Sequence, residues 1–390
     1  MRPRARLAVL SSLLATATGV ILAGPAPLVP APDSPLRVGP APSNVAIGDV
    51  NNDRTPDLVV TSAQRRVSIF LGRGDGRFSP APGGTLDVAE NASEMALGDV
   101  NGDGNIDLAL ASHDTYNVTL LYGDGRGGFG PAPGPAIAMK DGREPHTHGL
   151  RIADLNGDGK SDLVTVNSND DNDVAVMLGD GQGRFTRAPG SPFGVGPGPY
   201  PFAVGDLNGD GTVDVVVTAT GFRTGPVPPL PSDRLTVLFG DGRGGFQRSD
   251  VSLRRGHTWF AAIADVNNDQ KADLVATHGD APLASVLLGD GRGNFAEADG
   301  SPFALGQQAH YLALVDLNRD GRLDVVAAAG TGVRGLMGDG RGGFTPAPTS
   351  PFAPGRGMWK FAVADLNADG KADVAASNLE ANTVTVLLGR

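Results

Sequence analysis

The sequence contains no cysteine. That excludes disulfides, a thiol nucleophile, Cys-ligated zinc and a thioether-linked lipid anchor, so any stapling beyond the core must come from metal. Positive charge is also in short supply: 32 Lys and Arg face 43 Asp and Glu, a net charge of −11. Nucleic acid and anionic membrane surfaces both require a basic face that displaces counterions, and neither is expected as a partner. No apolar run long enough to cross a bilayer follows the N-terminal segment, so no membrane span is expected in the mature chain. Aromatic residues make up only 5%, with two Trp and four Tyr, so any place where they gather is informative.

Glycine is abundant, with 57 Gly beside 30 Pro. These residues recur at fixed offsets, as turn punctuation does, and not as low-complexity sequence. Residues 1–24 read as a secretory signal: Arg2, Arg4 and Arg6 precede an apolar stretch from Leu7 to Leu22, with small residues near Ala17 and Ala23. Residues 25–32, Pro-Ala-Pro-Leu-Val-Pro-Ala-Pro, read as an extended spacer. Secretion to the extracellular space or periplasm is the expectation. Calcium is plentiful outside cells, where weak sites fill.

One stretch organises the chain, Asp154-Leu-Asn156-Gly-Asp158-Gly159-Lys-Ser-Asp162. Oxygen-bearing side chains at loop positions 1, 3, 5 and 9, with glycine at 6, can wrap a hard cation, as the front half of an EF-hand loop does. The pattern occurs seven times. Its copies are Asp49, Asn51, Asp53 and Asp57; Asp99, Asn101, Asp103 and Asp107; Asp154, Asn156, Asp158 and Asp162; and Asp206, Asn208, Asp210 and Asp214. The last three are Asp265, Asn267, Asp269 and Asp273; Asp316, Asn318, Asp320 and Asp324; and Asp365, Asn367, Asp369 and Asp373. Up to seven structural Ca²⁺ ions are expected. Blades one and five carry Arg54 and Gln270 at position 6 in place of glycine, which predicts weaker sites there.

The loops start 50, 55, 52, 59, 51 and 49 residues apart, a period that suits a four-stranded propeller blade. A short apolar run leads into each loop, a β-branched run such as Asp214-Val-Val-Val-Thr leaves it, and a third run such as Leu235-Thr-Val-Leu-Phe follows. A Gly-Asp-Gly-rich turn then precedes a weaker fourth segment. Its aspartates, Asp124, Asp180, Asp241, Asp290 and Asp339, are read as turn formers. The fold class predicted is all-β: one seven-bladed propeller of four-stranded antiparallel blades over residues 33–390. The final repeat has only three strands, whereas Asp33-Ser34-Pro35-Leu36-Arg37-Val38-Gly39 resembles the fourth segment Gly190–Gly196. The N-terminal strand is therefore expected to complete the last blade.

The repeated Asp-x-Asn-x-Asp-Gly-x-x-Asp loop and the Leu-Gly-Asp-Gly-x-Gly-x-Phe turn resemble those of the FG-GAP-like, or VCBS-type, repeat family, over essentially the whole mature chain. Integrin alpha propellers and several fungal and bacterial propeller lectins are among its relatives. The resemblance implies a propeller with metal loops on one face. It fixes function weakly, because such propellers serve as lectins, adhesion modules and appendages of secreted enzymes.

Strand order assigns the metal loops to the bottom face and the opposite connections to the top. The residue six places before each first Asp then lies at the channel mouth: Ser43, Ser93, His148, Tyr200, Trp259, His310 and Trp359. His148, Tyr200, Trp259, His310 and Trp359 are the candidate ligand contacts, as rings that stack on sugar faces or as a plug of the channel. His113, Tyr116, Asp170, Asp171, Asp173, His278, Glu144, His146, His257 and Lys360 surround them, and blade four carries a long insertion from Thr220 to Arg234. The sequence has no Gly-x-Ser-x-Gly, His-Glu-x-x-His or phosphate loop. A monomeric, non-catalytic module for glycan or cell-surface ligands is expected. A protein-binding adhesion module, or a lyase or hydrolase built on the top-face histidines, is the alternative.

Overall fold

The computed structural model describes residues 28–142, 146–168, 172–221, 232–329, 332–348, 350–354 and 357–390, and every regular element among them is a β-strand. The expected signal at 1–24, Arg143, Glu144, Asp170, Asp171 and most of the blade-four insertion lie outside the described residues. The strands form seven antiparallel sheets, each running A-B-C-D from the ring centre outward. Blade three is representative: strand A is Thr147–Ala153, B is Asp162–Asn167, C is Asp173–Gly179, and D is split into Phe185–Arg187 and Phe193–Gly194. The A strands of neighbouring blades touch all the way round, blade seven against blade one included.

The β-branched runs behave as sequence pattern dictates. A strand covered on both faces should be continuously apolar, and strand B is buried at every position in blades one to five and seven. Seven separate apolar clusters result, one in each gap between blades. The gap between blades seven and one is filled like the rest: Val384 and Val386 meet Val45, Leu58 and Val60.

The N-terminus closes the ring as expected. Val29–Pro30 and Leu36–Arg37 both pair with the last strand, Val29 opposite Leu388 and Leu36 opposite Val384. The ordered unit thus begins earlier than the spacer reading placed it. Leu28 is buried in the cluster between blades six and seven, and Val29–Pro30 covers a strand edge that would otherwise be open to pairing. The outer strand breaks at a Ser-Pro pair in four blades: Ser34-Pro35, Ser191-Pro192, Ser301-Pro302 and Ser350-Pro351. In each, the serine Oγ accepts the strand-C N–H beside the break, from Val386, Val176, Val286 and Gly335 respectively.

The repeated loops fold through their own side chains. In blade three, Asp154 accepts the N–H groups of Asp158 and Gly159 at 3.1 and 2.8 Å, and Asp158 accepts that of Lys160 at 3.0 Å. The residue at position 9 works differently. Asp162 is fully buried, one oxygen accepting the Leu155 N–H at 2.8 Å and the other the Gly179 N–H at 2.8 Å. That single carboxylate ties the A-to-B loop to the end of strand C. The same double bond is made by Asp57, Asp107, Asp214, Asp273, Asp324 and Asp373. Gly179 has to be glycine, because a Cβ there would collide with the Ser161 carbonyl oxygen.

Loop position 6 adopts the left-handed backbone expected of it, and Arg54 and Gln270 are forced into it at φ of 70° and 65°. Position 4 does so too, in every copy: Asn52, Gly102, Gly157, Gly209, Asn268, Arg319 and Ala368 all have positive φ. The Asn and Gly at five of those places are the sequence signal for this second left-handed residue.

Replacing Asp162 with alanine strands two buried N–H donors, each worth about 1–3 kcal/mol. Asp162→Ala is expected to destabilise by roughly 2–4 kcal/mol on that basis, and Asp162→Asn by less because one acceptor survives. Urea unfolding of the two variants checks the order, and equal losses would refute the clasp.

Candidate functional site

The channel mouth lies at the opposite end of strand A from the loops. There, in five blades, strand A carries extra residues relative to strand B. Such bulges re-aim side chains that regular pleating would send elsewhere. The extra residues include Ser43, Tyr200, Trp259 and Trp359. In blade three the extra residue is Gly149, at φ 83°, where a Cβ would press into the Phe202 ring.

The five rings named from sequence form one continuous arc. His148 lies 4.0 Å from Tyr200, Tyr200 4.4 Å from Trp259, Trp259 4.4 Å from His310, and His310 4.8 Å from Trp359, as centroid distances. Tyr200, Trp259, His310 and Trp359 keep part of their surface exposed, whereas His148 is buried. His310 Nδ1 is buried without a hydrogen-bond partner. The arc therefore packs as a plug would and still presents aromatic surface to solvent.

Blades one and two contribute only Ser43 and Ser93 to the ring, and a charged pair spans that side. Lys360 of blade seven reaches across blade one to Glu94 of blade two at 2.6 Å, with both side chains nearly buried. Its ammonium also sits over the Tyr311 ring at 5.4 Å. Burial pulls the Lys360 ammonium below its usual range, and the Glu94 charge opposes that shift. Burial and the Glu94 charge together push the Tyr200 phenol up to about 12.

At the other end of the arc three imidazoles meet. His113, from the B-to-C loop of blade two, stands 4.4 Å from both His146 and His148, which are 4.4 Å from each other. His113 Nε2 and His148 Nδ1 are 2.9 Å apart and share a hydrogen bond. Burial is the main force lowering all three, and their mutual repulsion adds to it for His146 and His148; His148 is pushed down to about 2. The remaining two histidines of the top-face expectation serve the wall. His278 is fully buried between the Gly256 carbonyl and the Ser285 hydroxyl, both at 2.9 Å, and His257 Nδ1 lies 3.0 Å from the Thr220 carbonyl. Asp173, expected among the residues around the mouth, is buried against Lys140 at 2.6 Å. Among the described residues, no imidazole hydrogen-bonds a carboxylate.

On the bottom face the loop aspartates at position 5 are exposed, the aspartate at 1 and asparagine at 3 are mostly half-buried, and the position-9 carboxylate is fully buried. Burial, and then the charges of the position-5 and position-1 aspartates, hold Asp57, Asp162, Asp324 and Asp373 up at about 6 despite their two amide bonds. Each loop is thus an all-oxygen set with excess negative charge. The turn aspartates act as read: Asp124, for example, accepts the Arg126 and Gly128 N–H groups at 2.8 and 2.9 Å.

Seven four-stranded blades, each folded around an aspartate loop, define a repeat β-propeller. The chain belongs to the FG-GAP-like repeat family, whose repeat matches residues 49–110, 99–165, 154–217, 265–327 and 316–376. A search of curated proteins finds no match. Among solved structures, an Agrocybe aegerita lectin described as recognising non-reducing terminal N-acetylglucosamine is 21% identical, with a TM-score of 0.56, covering 86% of this chain and 85% of its own. BBS1N, solved in complex with ARL6DN, is 11% identical with a TM-score of 0.61 and covers 94% of this chain and 98% of its own. At these identities the likeness is one of fold.

The lowered histidines give stability a defined pH dependence. Folded His148 binds a proton far more weakly than an unfolded imidazole of pKa near 6.5. Stability present above pH 6.5 is therefore lost on acidification, by about 1.4 kcal/mol per pH unit. The raised loop aspartates act oppositely below about pH 6, since the folded state favours their protonated form. Comparing wild type with His148→Gln in chelator cancels that contribution, and the variant is expected to lose less stability between pH 6.5 and 5. Parallel profiles would refute the assignment.

Proposed function

We propose that this protein is a secreted, calcium-stabilised propeller that binds carbohydrate or other cell-surface ligands at the channel mouth. The observation that carries the reading is the arc of Tyr200, Trp259, His310 and Trp359, held in ring contact and partly exposed by bulges in strand A. Flat rings fixed in this way offer apolar faces for stacking, with polar edges that orient a ligand. The lectin fold relative supports the sugar reading; BBS1N, solved with a protein partner, supports a protein ligand as the second choice. Export rests on the basic and apolar pattern of residues 2–22.

Calcium in the seven loops completes the proposal. In blade three Asp154, Asn156, Asp158 and Asp162 would hold the ion, and their oxygen-only chemistry and excess negative charge suit a hard cation. Lys160, Lys271 and Lys371 lie 3.2, 3.3 and 3.7 Å from the position-5 aspartates and supply part of the missing positive charge. A bound ion supplies the rest and pins the A-to-B loop.

Two measurements test this reading. Excess EDTA should lower the melting temperature markedly and added Ca²⁺ restore it; an unchanged melt would sink the calcium assignment. On a glycan array, Trp259→Ala and Trp359→Ala should each weaken binding by about 2 kcal/mol, roughly thirtyfold, as loss of a buried aromatic anchor does. Absence of any glycan signal at high protein concentration would turn the reading toward a protein ligand.

A further inference from the structure

We propose that His113, His146 and His148 form a binding site for a divalent transition-metal ion of the zinc class, separate from the calcium loops and independent of the ligand reading. Among the described residues they are the one trio of His, Asp or Glu whose ligand atoms all lie within 4.8 Å of one another. The loop carboxylates of the bottom face do not converge to that degree.

The chain builds this trio deliberately from two blades. His146 immediately precedes strand A of blade three and His148 is its second residue, a two-residue spacing that in extended chain sends side chains to the same face. The bulge at Gly149 follows directly. His113 arrives from the B-to-C loop of blade two, so the site also bridges two sheets. The rings are arranged edge to face and not in a stack: His148 lies at 87° to His113 and 86° to His146. One nitrogen of each ring lies within 4.8 Å of one on each of the others, and the closest pair is 2.9 Å apart. A tetrahedral zinc with Zn–N of about 2.0–2.1 Å needs nitrogens roughly 3.3 Å apart. The observed separations, from 2.9 Å up to at most 4.8 Å, bracket that value.

The donor chemistry selects the ion. Three imidazoles suit zinc, copper, nickel and cobalt, whereas calcium and magnesium demand oxygen. Neutral imidazole is the ligating form, and a side chain of ordinary pKa near 6.5 is mostly neutral at pH 7. Glu94 and Asp114 act on His113, and Asp114 on His146, to favour an incoming positive charge, while the Lys360 ammonium acts against it at His113 and His148. His113 and His146 are partly exposed and provide the way in. Three protein ligands leave a fourth position open, as in zinc sites that bind water or a small ligand. His148 packs against Tyr200, so that position adjoins the aromatic arc.

The test uses the full chain in excess Ca²⁺, which saturates oxygen-only loops. Calorimetry with Zn²⁺ should give one ion per chain, and Co²⁺ should give the visible bands of a low-coordinate, nitrogen-ligated ion. His113→Gln and His146→Gln should each weaken Zn²⁺ binding by more than about tenfold, the loss that changes outside the first ligand shell already cause. Their melts in chelator report that they still fold. X-ray absorption on the wild-type zinc complex should show imidazole scattering, and needs no variant. The proposal is overturned by no Zn²⁺ binding at millimolar concentration, by competition from Ca²⁺, by an oxygen-only shell, or by unchanged affinity in the double glutamine variant.

Discussion

Every blade depends on one buried carboxylate. The aspartate at loop position 9 opens strand B, and its two oxygens take an N–H from the second loop residue and another from the glycine that ends strand C. Three stretches of chain meet at that side chain. An ionised group in such a place would be costly if left unpaired, and two amide donors satisfy its oxygens. They do not offset the cost of its charge: burial first, and then the charges of the aspartates at loop positions 5 and 1, hold it well above the usual carboxylate range. The fold thus concentrates negative charge at seven points on one face. A cation held there, as proposed, would relieve the repulsion that the clasp itself creates.

The clasp also separates two tasks along strand A. At its loop end the repeats are nearly identical, since the same three stretches must meet in each blade. At its opposite end nothing demands uniformity, and the blades diverge: serine in two, imidazole in two, and Tyr or Trp in three. Bulges let large rings occupy a position that a regular pleat would turn aside, as the pairing of Thr258 with His278 and then Phe260 with Thr277 shows around Trp259. The ring of blades is held by apolar clusters between neighbours, so a change at the mouth of one blade leaves the others intact. Function can accumulate there without cost to the scaffold.

Much of this was legible in the sequence because repetition multiplies weak signals. One loop of nine residues is a motif; seven at even spacing are an architecture. The closing strand was legible too, from the likeness of Ser34-Pro35 to Ser191-Pro192, although only pairing showed that Val29–Pro30 joins it. The aromatic ring at the mouth followed from counting back from each first aspartate. The buried clasp did not: position 9 reads as a metal ligand, and its two amide bonds depend on the end of strand C, far along the chain. Nor did the division of the histidines. His278 and His113 both follow a B-strand run in sequence, and only the structure makes one the last, satisfied residue of its strand and the other a loop residue within a cluster.

By itself, then, the sequence determined the number of blades, their strand order, the chemistry of the loops and which residues stand at the channel mouth, because each follows from local period and turn chemistry. The tertiary structure decided what those residues meet. Closing seven blades into a ring places Lys360 against Glu94 from the far end of the chain, and His113 against His146 and His148 across a blade boundary. Contacts of that kind depend on the angle between neighbouring sheets and on where each strand A bulges. Neither quantity is written in any single repeat.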